Sequence, residues 1–258
     1  MEFRILTVGD VVAASGAHYL CRRLRSMKKA HGIDFCVVDG ENCANVGIHP
    51  EQADRLFDAG ADVITLGNHA FSQRTILPMA EDCPYLLRPA NYSPLAPGRG
   101  WGVFDTKAGP LAILVLQGRV AMDYTPDNPF LAAERILRQI DTPMILVEFH
   151  AEATSEKLAM GLHLDGKVSA VFGTHTHVPT ADLQILPGGT GYVTDLGMTG
   201  PRNSVLGVKP EISIARFRGE YAGRYEPAPG PCKIEGAVFT IDSATGRCTA
   251  TERVYVYD

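Results

Sequence analysis

No apolar run in this chain approaches the roughly 20 residues that a membrane-spanning helix requires, so a membrane protein of that kind is excluded. Positive charge is in deficit: 24 Lys and Arg stand against 29 Asp and Glu, a net charge of -5. No global basic field therefore recruits nucleic acid, and any phosphate must be held by a local positive centre. The six cysteines include no Cys-x-x-Cys pair. They read as scattered reduced thiols of a cytoplasmic protein, and Cys43 reads as a bystander despite its place next to polar residues. The single tryptophan, Trp101, reads as core or interface and not as a base-stacking platform. Clusters of basic and aromatic residues are missing, which argues against an RNA platform. The start, Met-Glu-Phe-Arg-Ile-Leu, enters a strand without a secretion-signal layout. No linker, repeat or low-complexity run divides the sequence, so residues 1–258 are expected to form one domain.

What is present is a regular alternation. Apolar strands are expected over Phe3–Gly9, Phe35–Asp39 and Ala61–Leu66, separated by helices from Ala17 to Lys29 and from Pro50 to Gly60. This β-α-β-α-β pattern predicts parallel strands covered by helices, a fold of the α/β class. Further strands are expected at Pro84–Ala90, Gly98–Asp105, Leu111–Gln117, Pro143–Phe149, around Val168–Phe172 and at Gly189–Thr194. Helices are expected from Asn128-Pro129 to Ile140 and from Thr154 to Gly161. The tail reads as an antiparallel pair, Glu235–Ile241 and Cys248–Tyr257, and the mixed second half is expected to form its own sheet.

Most of these strands end on polar groups. Asp10, Glu41-Asn42, Asn68-His69, His150, and His175 with His177 all follow an apolar strand, where α/β sheets bind their ligands. Imidazoles, carboxylates and a carboxamide suit Mn, Fe or Zn, and the lack of a Cys ligand argues against a closed structural zinc site. The donors outnumber the places on one tetrahedral ion. They fit two metals roughly 3.5–4 Å apart, with a carboxylate such as Glu41 between them. His18, His31, His49 and His163 lie off this pattern and read as surface or packing residues. Glu152, Thr154 and Glu156 read either as partners that orient ligands or as the start of a helix. Asp195 and Thr199 could line a substrate cleft or form a turn, and Arg88 and Arg119 could meet a phosphate or ribose.

The motifs Gly9-Asp10, Gly67-Asn68-His69, His150 and Gly173-Thr174-His175-Thr176-His177 resemble those of the calcineurin-like metallophosphoesterases. The runs Gly9 to Val12, Gly40-Glu41-Asn42, His150 to Lys157, Gly173 to Val178 and Thr194 to Pro201 resemble more narrowly the YmdB-type bacterial 2′,3′-cyclic-nucleotide 2′-phosphodiesterases. Two positions depart from the broad superfamily, which carries His where this chain has Val12 and Asp where it has Glu41. Both departures are expected in the narrower family.

The resemblance implies a four-layer α/β/β/α sandwich of two mixed sheets. It implies that Asp10, Glu41, Asn42 and His177 hold one metal and that Glu41, Asn68, His150 and His175 hold the other. The ions would be divalent or of mixed valence, iron or manganese above zinc. His69 is left as general acid for the leaving alkoxide, while a metal-activated hydroxide attacks phosphorus in line. The implied substrate is a small phosphodiester, a 2′,3′-cyclic nucleotide opened to a 3′-nucleotide. RNA ends are a further partner class, a homo-oligomer is left open, and no membrane partner is expected. The alternatives are a phosphatase or nuclease of the same fold, or a non-catalytic regulatory or RNA-binding protein.

Overall fold

The computed structural model describes all residues, 1–258. In chain order, strand β1 (Glu2–Val8) is followed by the short β2 (Asp10–Val11), helix α1 (Ala13–Ala30), β3 (Phe35–Asp39), α2 (Pro50–Ala59) and β4 (Val63–Thr65). A 3-10 turn over Arg74–Ile76 leads into α3 (Leu77–Asp82), then β5 (Leu86–Leu87), β6 (Trp101–Thr106) and β7 (Gly109–Gln117). Helix α4 (Pro129–Leu137), β8 (Met144–His150), α5 (Thr154–Leu164) and β9 (Ala170–Thr174) continue the alternation. The chain ends with β10 (Gln184–Ile185), β11 (Gly191–Val193), β12 (Met198–Pro201), α6 (Pro210–Phe217), β13 (Cys232–Asp242) and β14 (Cys248–Tyr257).

Two mixed sheets result. One has the order β2-β12-β13-β1-β3-β4-β5, with β14 also paired to β13, and the other runs β10-β11-β9-β8-β7-β6. Successive residues of a strand face opposite sides of its sheet, and the sequence uses that period to build two cores per sheet. Phe3, Ile5 and Val37 of the first sheet meet Ile113, Val115 and Phe172 of the second in a shared core. Their neighbours Leu6, Cys36 and Val38 point outward to α1 and α2, where Leu20, Leu24 and Leu56 cover them. On the far side Leu114, Leu116 and Val171 meet Ala133, Met160 and Leu164 of α4 and α5. Helix, sheet, sheet, helix is the expected four-layer sandwich.

Local differences from the sequence expectation have physical causes. Helix α1 begins at Ala13, not Ala17, because the Ala13 N–H is anchored on the Asn42 carbonyl at 2.9 Å. Its first turn has no apolar periodicity to betray it. Helix α5 runs three residues beyond Gly161, where a glycine is needed for contact: an added Cβ would stand 2.4 Å from the Tyr192 ring. The strand expected at Pro84–Ala90 shrinks to β5, and β2, β10, β12, α3 and α6 are additions. Trp101 packs on the outer core of the second sheet, as expected of a core residue. No helix is long and apolar enough to cross a membrane.

Candidate metal centre

Both sheets deliver residues to one place. Strand ends of the first sheet bring Asp10, Glu41, Asn42 and Asn68, while β8 and the loop after β9 bring His150, His175 and His177. Gly67, just before Asn68, makes the approach feasible, since a Cβ there would fall 2.3 Å from His150 Nε2. His175 and His177 both adopt left-handed backbone angles, φ 95° and 63°. Such angles are costly for residues with a Cβ, about 1–3 kcal/mol each, and persist only where surroundings impose them.

The first group of donors centres on His150. Its Nε2 lies 2.8 Å from Asn68 Oδ1, 3.1 Å from Glu41 Oε1 and 3.1 Å from His175 Nδ1. On the other edge of the ring, Nδ1 meets Thr174 Oγ1 at 2.9 Å, and that hydroxyl donates to Glu148 Oε1 at 3.0 Å. With the hydroxyl proton directed to Glu148, Nδ1 is the donor to Thr174, and Nε2 faces three other electron-rich atoms. Glu41, His150 and His175 converge closely enough to hold one ion.

The second group surrounds Asp10. His177 Nε2 stands 3.4 Å from Asp10 Oδ1 and 3.3 Å from Asn42 Nδ2. Asp10 Oδ1 is buried without a hydrogen-bond partner, whereas Oδ2 accepts the His175 N–H at 3.1 Å. A buried carboxylate oxygen without a donor is costly unless a cation meets it. Asn42 also donates through Nδ2 to Glu41 Oε1 at 3.2 Å, so its carboxamide must turn over to present oxygen to an ion. Asn42 forms a parallel β-bridge with Val12, which sets these two residues side by side. One oxygen, Glu41 Oε1, is within reach of both groups.

Charge balance in the metal-free site follows from these contacts. Burial alone would raise Asp10, but His177 beside it holds the carboxyl well below the ordinary range. Burial likewise opposes ionisation of Glu41, and His150 outweighs it, leaving Glu41 at about 2. His150 is pushed up against burial by Glu41 and Asp39, and His177 is pushed up against burial by Asp10. His175 falls to about 4 through burial and the neighbouring His150. The donor set, rich in carboxylate and imidazole and free of thiolate, fits divalent transition metals.

Asp39 and Glu148 escaped the sequence reading. Asp39 Oδ2 lies 3.4 Å from His150 Nδ1, and Asp10, Asp39 and His150 form a second, wholly buried triad able to hold an ion. Burial pushes Asp39 well up and Glu148 to about 7. Both were marked by position. Asp39 ends β3 next to Gly40, and Glu148 shares a strand face with His150 within an otherwise apolar run. Carboxylates behind metal-binding histidines orient the ring and fix its tautomer.

The remaining residues sort themselves. His69 stays outside both groups; its N–H donates to Glu41 Oε2 at 3.0 Å, and its side chain lines the same 260 Å³ cavity as Glu41 and His177. Glu152 reaches His175 Nε2 at 3.3 Å, which makes it a partner of an imidazole. Thr154 opens α5, and Glu156 accepts the Arg119 and Val120 N–H groups, so neither orients a histidine. Arg88 spends its guanidinium on the carbonyls of Pro89, Ala96 and Pro97 and holds a loop, not a phosphate. His31 and His49 pair with Glu252 and Thr75, and His163 sits beside Glu134, away from the centre. Cys43 is buried in the outer core of the first sheet.

Residues 6–254 match the family model described as YmdB-like protein. The chain is 41% identical to the 2′,3′-cyclic-nucleotide 2′-phosphodiesterase of Bacillus subtilis, covering 99% of this chain and 97% of that one. A crystal structure of a hypothetical protein from Thermus thermophilus superposes with a TM-score of 0.93 at 35% identity, over 99% of this chain and 100% of the other. A novel phosphatase from Mycoplasma pneumoniae superposes with a TM-score of 0.94 at 32% identity, over 100% and 94% of the two chains. Motifs and sandwich thus coincide with a family match across nearly the whole length, and the chain belongs to the YmdB-like protein family.

Proposed function

We propose that this protein is a dinuclear metal-dependent phosphodiesterase that hydrolyses 2′,3′-cyclic nucleotides to 3′-nucleotides. The observation that carries the reading is the position of Glu41, whose Oε1 is within reach of the His150 group and of Asn42 beside Asp10 and His177. Asp10, Glu41, Asn42 and His177 would hold one ion, and Glu41, Asn68, His150 and His175 the other. When bound, the two ions supply Lewis-acid polarisation of the phosphoryl group and acidify a water to a nucleophile. The chain's own part is to fix the donors, exclude bulk water with buried strand ends, and deliver a proton. His69, next to Asn68 and outside both donor groups, is the acid for the departing ribose oxygen. We further read residues 1–258 as one domain, because both sheets contribute donors to a single site.

The similarity to a Bacillus 2′,3′-cyclic-nucleotide 2′-phosphodiesterase supports this substrate class, and the Mycoplasma structure described as a phosphatase keeps phosphomonoesters in view. The test is a panel on metal-analysed protein: 2′,3′- and 3′,5′-cyclic nucleotides, phosphomonoesters, and short RNA ending in a 2′,3′-cyclic phosphate. Turnover of the 2′,3′-cyclic compounds to 3′-phosphates is expected. Hydrolysis of phosphomonoesters alone would replace the phosphodiesterase reading with a phosphatase one.

A further inference from the structure

Next to the metal centre, on the Asn68 side, lies a cavity of about 370 Å³ that the proposed reaction does not use. Its walls include Asn68, Phe71, Ser72, Tyr92, Ser93 and Tyr124. The three aromatic rings pack on one another. Phe71 and Tyr92 are 6.2 Å apart between centroids, and Tyr92 meets Tyr124 edge to face at 5.3 Å. The polar groups of the lining residues are the hydroxyls of two serines and two tyrosines and one carboxamide, without a charged side chain. Such a cavity suits a flat, neutral ring with polar edges and has nothing to hold a phosphate.

Gln117, at the end of β7 and fully buried, sets the geometry of these rings. Its Oε1 accepts from the Tyr92 hydroxyl at 2.5 Å, and its Nε2 donates to the Tyr124 carbonyl at 2.9 Å. Asn91 pins the same strand end, accepting the Gln117 N–H at 2.9 Å and donating to the carbonyls of Gln117 and Asp127 at 2.8 Å each. Two buried amides thus fasten the segment carrying Tyr124, which is neither helix nor strand, against the Tyr92 ring. Tyr124 itself remains 51% exposed. A residue whose backbone is pinned at a cavity mouth, with its ring against Tyr92 yet half open, offers a face for a ligand to cover.

We infer that this cavity receives the nucleobase of the substrate, stacked against Tyr124 and Tyr92, with Gln117 as the positioning residue for both rings. The inference rests on the cyclic-nucleotide reading above. Asn68 joins the two sites: its side chain lines the cavity, and its Oδ1 lies 2.8 Å from His150. A base in the cavity is therefore one side chain away from a phosphate at the metals. A second cavity, about 360 Å³, adjoins the centre and is lined by the His69 and His177 imidazoles, one phenol ring, Tyr225, and the carboxylate of Glu226. The Arg216 guanidinium already covers the Tyr225 ring at 4.0 Å, so it is the poorer platform.

The test compares kcat/KM for adenosine 2′,3′-cyclic phosphate with kcat/KM for the abasic ribose 2′,3′-cyclic phosphate, on metal-replete enzyme. The ratio isolates the base from the chemistry. It is expected to fall about tenfold in Tyr124→Ala, within the range for one stacked base, and to be restored in Tyr124→Phe, which keeps the ring. Gln117→Met should lower the same ratio, whereas a merely structural role would depress both substrates alike. An unchanged ratio in Tyr124→Ala, or an equal fall in Tyr225→Ala, overturns the assignment. If wild-type enzyme opens neither cyclic phosphate, the proposed reaction fails, and calorimetric binding of adenosine then decides the cavity separately. Binding should weaken about tenfold in Tyr124→Ala; undiminished binding, or none in the wild type, overturns it.

Discussion

Lys157 and Asp195 form an ion pair of 2.7 Å, both side chains wholly buried, directly beneath the loop that carries His175 and His177. The pair does more than neutralise itself. Lys157 Nζ also donates to the Thr174 carbonyl at 2.7 Å, and Asp195 Oδ2 accepts from the Thr176 N–H at 3.2 Å and its hydroxyl at 2.8 Å. Thr174 and Thr176 flank His175, so the pair clamps the loop on both sides of the first left-handed residue. That clamp is the surroundings needed to impose φ 95° and 63° on His175 and His177.

Removing one member of a buried pair leaves the other charge uncompensated, at a cost of about 3–5 kcal/mol. Lys157→Met should therefore unfold at markedly lower denaturant, and metal content should fall because the loop is released. Denaturant titration with metal analysis checks both. Lys157→Met combined with Asp195→Asn should recover part of the stability, since the orphaned charge is then gone; no recovery would place the effect in packing alone.

Asp182 offers a pH dependence away from the metals. Burial works to raise its carboxyl, but hydrogen bonds from the Thr180 and Thr194 hydroxyls, at 2.6 and 2.5 Å, and from the Thr194 N–H outweigh burial and hold it below the ordinary range. A lowered folded value means that the contribution is complete above the unfolded pKa of about 3.9 and is lost as pH falls through the folded value. Asp182→Asn should cost about 1–2 kcal/mol near neutral pH, a figure discounted for partial exposure. The gap from wild type should narrow as pH drops below about 4. Chemical denaturation across that range checks the direction. A gap that widens with acid would reverse the sign.

The outer frame of this site was legible in the sequence, and its inner supports were not. Asp10, Glu41, Asn68, His150 and the two loop histidines follow apolar strands, so local pattern alone set them at one end of a sheet. Glu148 was discoverable by the same period, since it lies two residues before His150, but a lone carboxylate in an apolar strand is easily passed over. Lys157 gives no such sign. A lysine in a helix is ordinarily solvated, and only the fold brings it to Asp195. The same is true of Tyr92 and Tyr124, which lie in segments without periodicity and meet through Gln117. Strand β12 was missed because Met198–Pro201 has neither alternation nor length, and its pairing with β2 and β13 decides its conformation.

The shared carboxylate gives a prediction of metal stoichiometry. If Glu41 serves both ions, Glu41→Ala should lose both together and abolish turnover. Asn42→Ala should weaken mainly the ion beside Asp10 and His177, since Asn42 Nδ2 is 3.3 Å from His177 and meets the His150 group only through Glu41 Oε1. Elemental analysis of the two purified variants against wild type is the measurement. Two tightly held ions in Glu41→Ala would remove the bridging role.

The last prediction separates proton transfer from metal binding at adjacent residues. Asn68 turns its oxygen to His150, while His69 donates its backbone N–H to Glu41, and its ring, with Nε2 3.4 Å from Asn68 Nδ2, lines the open cavity. Replacing the His69 ring should therefore leave the donor groups intact. General acid assistance is typically worth roughly 10²–10⁴-fold, and it matters most when the leaving group is a basic alkoxide such as a ribose oxygen. His69→Ala should keep its metals and lose turnover of a 2′,3′-cyclic nucleotide by about that factor. On a nitrophenyl phosphodiester, whose leaving group departs as a stable anion, the loss should be much smaller. Both substrates are to be measured on metal-replete wild type and variant. Equal losses would mean that the ring positions the phosphate instead of protonating the leaving oxygen, and the acid would have to be sought elsewhere along the cavity wall.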